Sequence, residues 1–121
     1  MLQPDWYAIQ SKRFKALAHP VRLQILDVLR EGEACVCHME AALGYRQAYI
    51  SQQLSVLRDI ELIKDRRDGL NIYYVVTRPE VFDVIDAAQA LGGARKNRKV
   101  AKRLDNCSCP HCAPQKAPIV C

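Results

Sequence analysis

Gln47-Ala48-Tyr49-Ile50-Ser51-Gln52-Gln53-Leu54-Ser55-Val56-Leu57-Arg58 is the stretch whose reading decides the fold. Ile50, Leu54 and Leu57 recur at helical spacing and line one face, while most of the other side chains are polar. The pattern predicts a helix from about Gln47 to Ile60. Just upstream, Val36 to Leu43 predicts a shorter helix closed by Gly44, a residue suited to the left-handed conformation that ends many helices. Two short helices joined by a glycine-containing turn make a helix–turn–helix.

Downstream, Leu62-Ile63-Lys64-Asp65-Arg66-Arg67 and Leu70-Asn71-Ile72-Tyr73-Tyr74-Val75-Val76 flank Asp68-Gly69, a strong two-residue hairpin signal. Pro79 opens a last helix, with Val81, Val84, Ile85, Ala88 and Leu91 on its apolar side, ending at Gly92-Gly93. Upstream, Trp6 to Ala18 alternates apolar and basic residues at helical spacing. His19-Pro20 then starts a helix carrying Val21, Leu23, Ile25, Leu26, Val28 and Leu29, which stops near Gly32. Helix, helix, helix–turn–helix, hairpin, helix is a mainly α chain with a β-hairpin (α+β), a winged helix–turn–helix. The apolar helices at the two ends, on so small a core, predict a homodimer built from them.

A chain of 121 residues is one domain's worth of core. No apolar run approaches the length that spans a bilayer, and the N-terminus carries no charged-then-apolar signal pattern. No membrane role and a cytoplasmic location are expected. The six cysteines then point to metal or redox chemistry instead of disulfides. The net charge of +5 is unevenly placed: residues 1–93 hold 11 Lys and Arg against 12 Asp and Glu, whereas residues 94–121 hold 7 against 1. The chain divides accordingly into a DNA-binding and dimerisation domain, 1–93, and a basic, cysteine-rich tail, 94–121. Global basicity cannot support nucleic-acid binding by the first part, so local charge must.

In a helix–turn–helix the N-terminal residues of the second helix reach base edges in the major groove. Arg46, Gln47, Tyr49, Ser51, Gln52 and Gln53 fall in this region, and Arg, Gln and Ser have suitable chemistry for guanine, adenine or either. Lys64, Arg66 and Arg67 flank the hairpin turn, where a wing lies along the backbone or minor groove of double-stranded DNA. Arg58, farther along, serves the phosphates or a dimer.

Glu33-Ala34-Cys35-Val36-Cys37-His38 precedes the short helix. Thiolates are soft ligands for Zn(II), Cd(II), Pb(II), Cu(I) and trivalent arsenic or antimony. At the start of a helix the dipole favours the thiolate form. Residues two apart on a helix point about 200° from each other, so both sulfurs meet one ion only if that turn is non-helical or unwinds. A second cluster, Cys107-Ser108-Cys109-Pro110-His111-Cys112, lies in the tail with a spacing compatible with one soft ion. Cys35, Cys37, Cys107, Cys109 and Cys112 are the candidate ligands, His38 and His111 possible additions, and Cys121 a spare thiol.

The run from His19 to Val76 resembles the ArsR/SmtB family of arsenic- and metal-responsive winged-helix repressors. The matching elements are Ala18-His19-Pro20-x-Arg22-Leu23-x-Ile25-Leu26, Glu33-x-Cys35-Val36-Cys37, Ser51-Gln52-Gln53-Leu54-x-Val56-Leu57-Arg58 and Asp68-Gly69-x-x-x-Tyr73-Tyr74. The resemblance implies a homodimer that binds an operator and releases it when a metal or metalloid binds, with a recognition helix at Gln47 to Arg58. Two departures stand out. Arg46 replaces the Ser or Thr that usually caps that helix, and Glu61 stands where a glycine commonly precedes the first wing strand.

The resemblance also bears on the ligands. Arsenic sensors of the family carry this C-x-C, some with a third cysteine three residues later, where this chain has Glu40. Cadmium and lead sensors add cysteines from an N-terminal arm, but residues 1–34 contain none. The family's zinc site on the last helix uses Asp and His, and Thr77 to Leu91 has no histidine. A third thiolate is therefore expected from the tail. The expected function is a repressor released by arsenite or antimonite, As(III) or Sb(III). The alternatives are a Cd-, Pb- or Zn-responsive repressor, or a redox- or persulfide-switched one. No organic cofactor is implied. A Cys-His nucleophile would need a cleft and an orienting partner, neither of which the sequence offers, so an enzyme is not expected.

Overall fold

The computed structural model describes residues 4–93. Helices α1 (Pro4–Leu17) and α2 (Pro20–Arg30) lead into a short strand β1 (Ala34–Cys35), then α3 (Val36–Leu43) and α4 (Gln47–Asp59). Strands β2 (Ile63–Asp68) and β3 (Asn71–Val76) form the hairpin, and α5 (Glu80–Leu91) closes the domain. This is the winged helix–turn–helix expected from the sequence.

The core is the buried face of α2 laid on the helix–turn–helix: Val21, Ile25, Leu26, Val28 and Leu29 meet Met39 of α3, and Ile50, Leu54 and Leu57 of α4. Burying each such side chain contributes roughly 1.5–3 kcal/mol, which fixes α4 by its apolar stripe and leaves its polar face outward. Local signals set the boundaries. His19, extended at φ −151°, accepts the Val21 N–H on its Nδ1 at 3.2 Å and caps α2, with Pro20 in the first turn. Gly44 ends α3 at φ 80°, its N–H donating to the Glu40 carbonyl at 2.8 Å.

At the end of α4, the Glu61 N–H donates to the Arg58 carbonyl at 2.9 Å and the Leu62 N–H to the Leu57 carbonyl at 3.1 Å. Those two bonds define a Schellman ending, whose left-handed residue is usually glycine. Here it is Glu61, at φ 63°. Its carbonyl accepts the Thr77 hydroxyl at 2.7 Å, tying the root of the hairpin together.

Two features differ from the sequence reading. The hairpin turn is Gly69-Leu70, because Asp68 pairs with Asn71 across the strands. Gly69 adopts φ 64°, and a glycine first in a two-residue turn is the type II′ requirement. The sheet also has a third strand: β1 pairs antiparallel with β3, giving the order β1-β3-β2. Two residues are too few for a period-2 signal, so β1 was not legible before the fold was known.

Candidate functional site: a polar helix face, a wing and a sulfur pair

The outward face of α4 carries the groove candidates. Arg46 occupies the N-cap with extended backbone and makes no side-chain cap, as its replacement of Ser or Thr implied. Arg46, Gln47, Tyr49, Ser51 and Gln52 are exposed together along the first turns. The Tyr49 ring meets Tyr45 edge-on, centroids 5.6 Å apart, and Tyr45 donates to Gln24 Oε1 at 3.0 Å, so Tyr49 rests on a ring anchored to α2.

Gln53 departs from its expected role. It is 8% exposed, and its Oε1 accepts from Arg22 Nε at 2.9 Å. The same guanidinium donates to the Lys15 and Ala16 carbonyls at 3.3 and 3.1 Å. Gln53 thus docks α4 onto α2 and the end of α1, with its side chain turned to the core. The helical spacing from Leu54 and Ile50 puts position 53 at the border of the apolar stripe, where the sequence alone does not decide.

On the wing, Lys64 and Arg67 are exposed. Arg58 reaches from α4 to Asp65, 3.9 Å away, which links helix and wing. Arg66 is held: its Nε donates to Glu33 Oε2 at 3.1 Å, its Nη2 bonds Glu33 Oε1, and its guanidinium lies 5.1 Å from the Tyr73 ring centre. The hydrogen bond to Glu33 raises the Arg66 pKa above the ordinary arginine value, so the group stays charged.

Glu33 precedes β1, which leads into the candidate thiol site. Cys35 is the N-cap of α3, extended at φ −89°, ψ 167°, and Cys37 falls in the first turn of the helix. The strand geometry at Cys35 resolves the problem posed by helical spacing. One cysteine lies outside the helix, so the sulfurs come within 3.2 Å of each other and no turn has to unwind. Cys35 is 1% exposed and packs with buried Tyr73, Cys37 and Ala41. His38, a possible ligand from sequence, is buried at 7% exposure.

Soft-ion geometry gives a fit test for this pair. Sulfurs bonded at about 2.3 Å to a tetrahedral ion sit about 3.8 Å apart, whereas right-angled pyramidal bonding brings them to about 3.3 Å. The 3.2 Å separation is short enough for both sulfurs to reach one soft ion. Among the described residues no group of three or more His, Cys, Asp or Glu is placed to hold a metal ion. Among the described residues the pair stands as two sulfurs, Cys35 and Cys37. Cys107, Cys109, His111 and Cys112, the other candidates, lie outside the described residues. No helix among the described residues is long and apolar enough to cross a membrane.

Comparison with known proteins matches residues 19–65 to the model described as bacterial regulatory protein, arsR family. The chain is 39% identical over 71 residues to a "Transcriptional repressor SmtB homolog" of Synechocystis sp., covering 59% of this chain and 54% of that one. It is 43% identical over 75 residues to "Arsenic resistance transcriptional regulator ArsR1" of Pseudomonas putida, covering 61% and 58%. The match therefore spans little more than half the length of these two relatives. Among solved structures, NolR from Sinorhizobium fredii superposes with a TM-score of 0.69 at 34% identity, over 78% of this chain and 98% of that one.

Proposed function

Because the chain belongs to the arsR family of bacterial regulatory proteins, we infer that it is a DNA-binding repressor released from its operator by a thiophilic metalloid, arsenite or antimonite. The observation that carries this reading is the Cys35–Cys37 pair, 3.2 Å between sulfurs, at the start of the helix that supports the recognition helix. The 43% identity to an arsenic resistance regulator supports trivalent arsenic as the inducer. Arg46, Gln47, Tyr49, Ser51 and Gln52 read the major groove, and Lys64 and Arg67 meet the backbone. The third thiolate comes from the tail, from Cys107, Cys109 or Cys112. The chemistry of the bound ion is simple thiolate ligation, and the protein contributes the placement of the sulfurs.

The active form is a homodimer. Trp6, Tyr7, Ile9 and Phe14 on α1, and Val84 and Leu91 on α5, are 41–90% exposed. Beside them opens a cleft of about 380 Å³ with Phe14, Leu17, Leu62, Val81 and Val84 in its wall. Exposed apolar surface of this extent marks a protein interface. Sedimentation at micromolar concentration should show a dimer, and a monomer would remove this part of the reading.

The central test titrates the reduced protein with arsenite, cadmium and zinc while release from operator DNA is followed. Arsenite should act at the lowest concentration. Release by oxidant or persulfide, reversed by a thiol reductant with no metal bound, would replace the metalloid reading with a redox one.

A further inference from the structure

The sheet brings three residues into one cross-strand row. Cys35 of β1 is registered with Tyr73 of β3, and Tyr73 with Arg66 of β2. Cys35 and Tyr73 are buried against each other at 1% and 2% exposure. The Arg66 guanidinium covers the Tyr73 ring and returns to Glu33, two residues before Cys35. The row is thus a closed loop: sulfur, ring, guanidinium, carboxylate, and back through the backbone to the sulfur. Directly opposite cross-strand side chains are the strongest-coupled neighbours in a sheet.

This places Glu33 and Arg66 between the two activities. Arg66 is on the wing, among the cations that would approach DNA. Glu33 is on the segment whose position the sulfurs set. We propose that the Glu33–Arg66 clamp is the device by which the sulfur pair governs the wing: the clamp holds the hairpin in its DNA-binding setting, and ligation of Cys35 and Cys37 shifts β1 and loosens it. The proposal rests on the thiol-sensor reading and deepens it by naming a route and two positioning residues. It requires no covalent change at Glu33 or Arg66. A ligand that moves β1 relative to β3 has a differential effect on the two wing settings, which any allosteric effect needs.

Glu33→Gln is the decisive variant, because two explanations give it opposite signs. If Glu33 is merely a negative charge near DNA, its neutralisation strengthens DNA binding and leaves the effect of inducer intact. If it clamps Arg66, Glu33→Gln weakens DNA binding. It also shrinks the factor by which arsenite weakens that binding, from the usual range of about 5–150-fold toward unity. Arg66→Lys, which keeps the charge but loses the two-pronged contact and the flat ring stacking, should shrink that factor in the same way. Thiolate-to-cadmium absorbance should stay at the wild-type amplitude in both variants, showing that the sulfurs still ligate.

A second measurement needs no DNA. Adding cadmium to the DNA-free full chain should move the Arg66 Nε–H resonance in the wild type and leave it in place in Cys35→Ser. The inference is overturned if the wild type is released by arsenite and Glu33→Gln is released by the same factor. It is equally overturned if cadmium leaves the Arg66 resonance unmoved in the wild type. A wild type that ligates arsenite but keeps its DNA instead removes the sensor reading itself, and the clamp's regulatory role with it.

Discussion

The two outer strands of the sheet are built for opposite surroundings. β1 is two residues, Ala34 and Cys35, both buried. β2 is six residues, buried only at Ile63, with Lys64, Asp65, Arg66, Arg67 and Asp68 all exposed. β3 lies between them and pairs with both. An edge strand offers unpaired backbone groups, and shortness or charge are the usual ways to blunt it. This sheet uses shortness on one side and charge on the other. The difference sets a buried edge that keeps the Cys35 sulfur out of water against a charged edge whose side chains face solvent. Substitutions that leave the Tyr73–Arg66–Glu33 row intact should therefore change one edge's activity and spare the other's.

The strongest break of that comparison is at the buried edge. Cys35→Ser or Cys37→Ser should abolish the response to arsenite while operator affinity in its absence stays within a few-fold of wild type. Reciprocity requires that DNA also weaken arsenite binding in the wild type by the factor by which arsenite weakens DNA binding. Operator binding followed by fluorescence anisotropy, with and without arsenite, checks both. A serine variant that still lets go of DNA on arsenite would remove the sulfur pair from the sensor.

Next in size is the completion of the site. Two sulfurs among the described residues do not make a full soft-ion set. A Cys107/Cys109/Cys112→Ser triple variant should therefore lose much of the arsenite affinity. It keeps Arg95, Lys96, Arg98, Lys99, Lys102 and Arg103, so non-specific DNA binding should not change. Direct titration by calorimetry separates the two effects. An unchanged arsenite affinity would take the tail out of the ligand set.

On the polar face of α4, Gln47→Ala and Ser51→Ala should each cost about 1–3 kcal/mol of specific binding, the usual loss for a base contact. Gln53→Ala tests the contrast within one helix. Gln53 is buried against Arg22, so its loss should lower the stability of the fold. A drop of about 1.5–3 kcal/mol in denaturant unfolding is the size expected for a hydrogen bond to a charged group. If Gln53→Ala instead left stability intact and cost only specific operator affinity, the inward placement would be wrong.

How much of this was legible in the residues depends on length of pattern. The helices from Pro20 to Asp59 and the hairpin followed from apolar spacing, His19-Pro20, Gly44 and Gly69, because each signal runs over a turn or more. β1 was hidden, since two residues carry no period, and with it the cross-strand row to Tyr73 and Arg66. The C-x-C motif identified the sulfurs, but helical geometry argued that they point apart. Only the extended backbone at Cys35 brings them together. Gln53 was misplaced for a related reason: a residue beside an apolar stripe is inward or outward by a few tens of degrees, which spacing does not resolve. Glu61 was legible as an anomaly, and the Schellman bonds give its cause.

That anomaly yields a smaller effect at the root of the charged edge. Glu61 sits at φ 63°, where a non-glycine side chain costs about 1–2 kcal/mol. Glu61→Gly should regain up to about 1 kcal/mol of stability after the added freedom of the unfolded chain is deducted. Thermal unfolding should shift upward by a few degrees with the dimer preserved.

The smallest effect is also the one that reads the charged edge most directly. Arg67 is exposed beside the hairpin turn and faces Ile72 across the strands, so its removal should leave packing nearly untouched. A phosphate contact is recognised by its salt dependence instead of its size. Each neutralised phosphate contributes about 0.9 to the slope of log affinity against log salt. Arg67→Ala should therefore lower the magnitude of that slope by about one and weaken operator and random DNA alike. At high salt the variant and the wild type should converge. A loss confined to the operator, with the slope unchanged, would mean that Arg67 touches a base edge and that the outer strand reads sequence as well as charge.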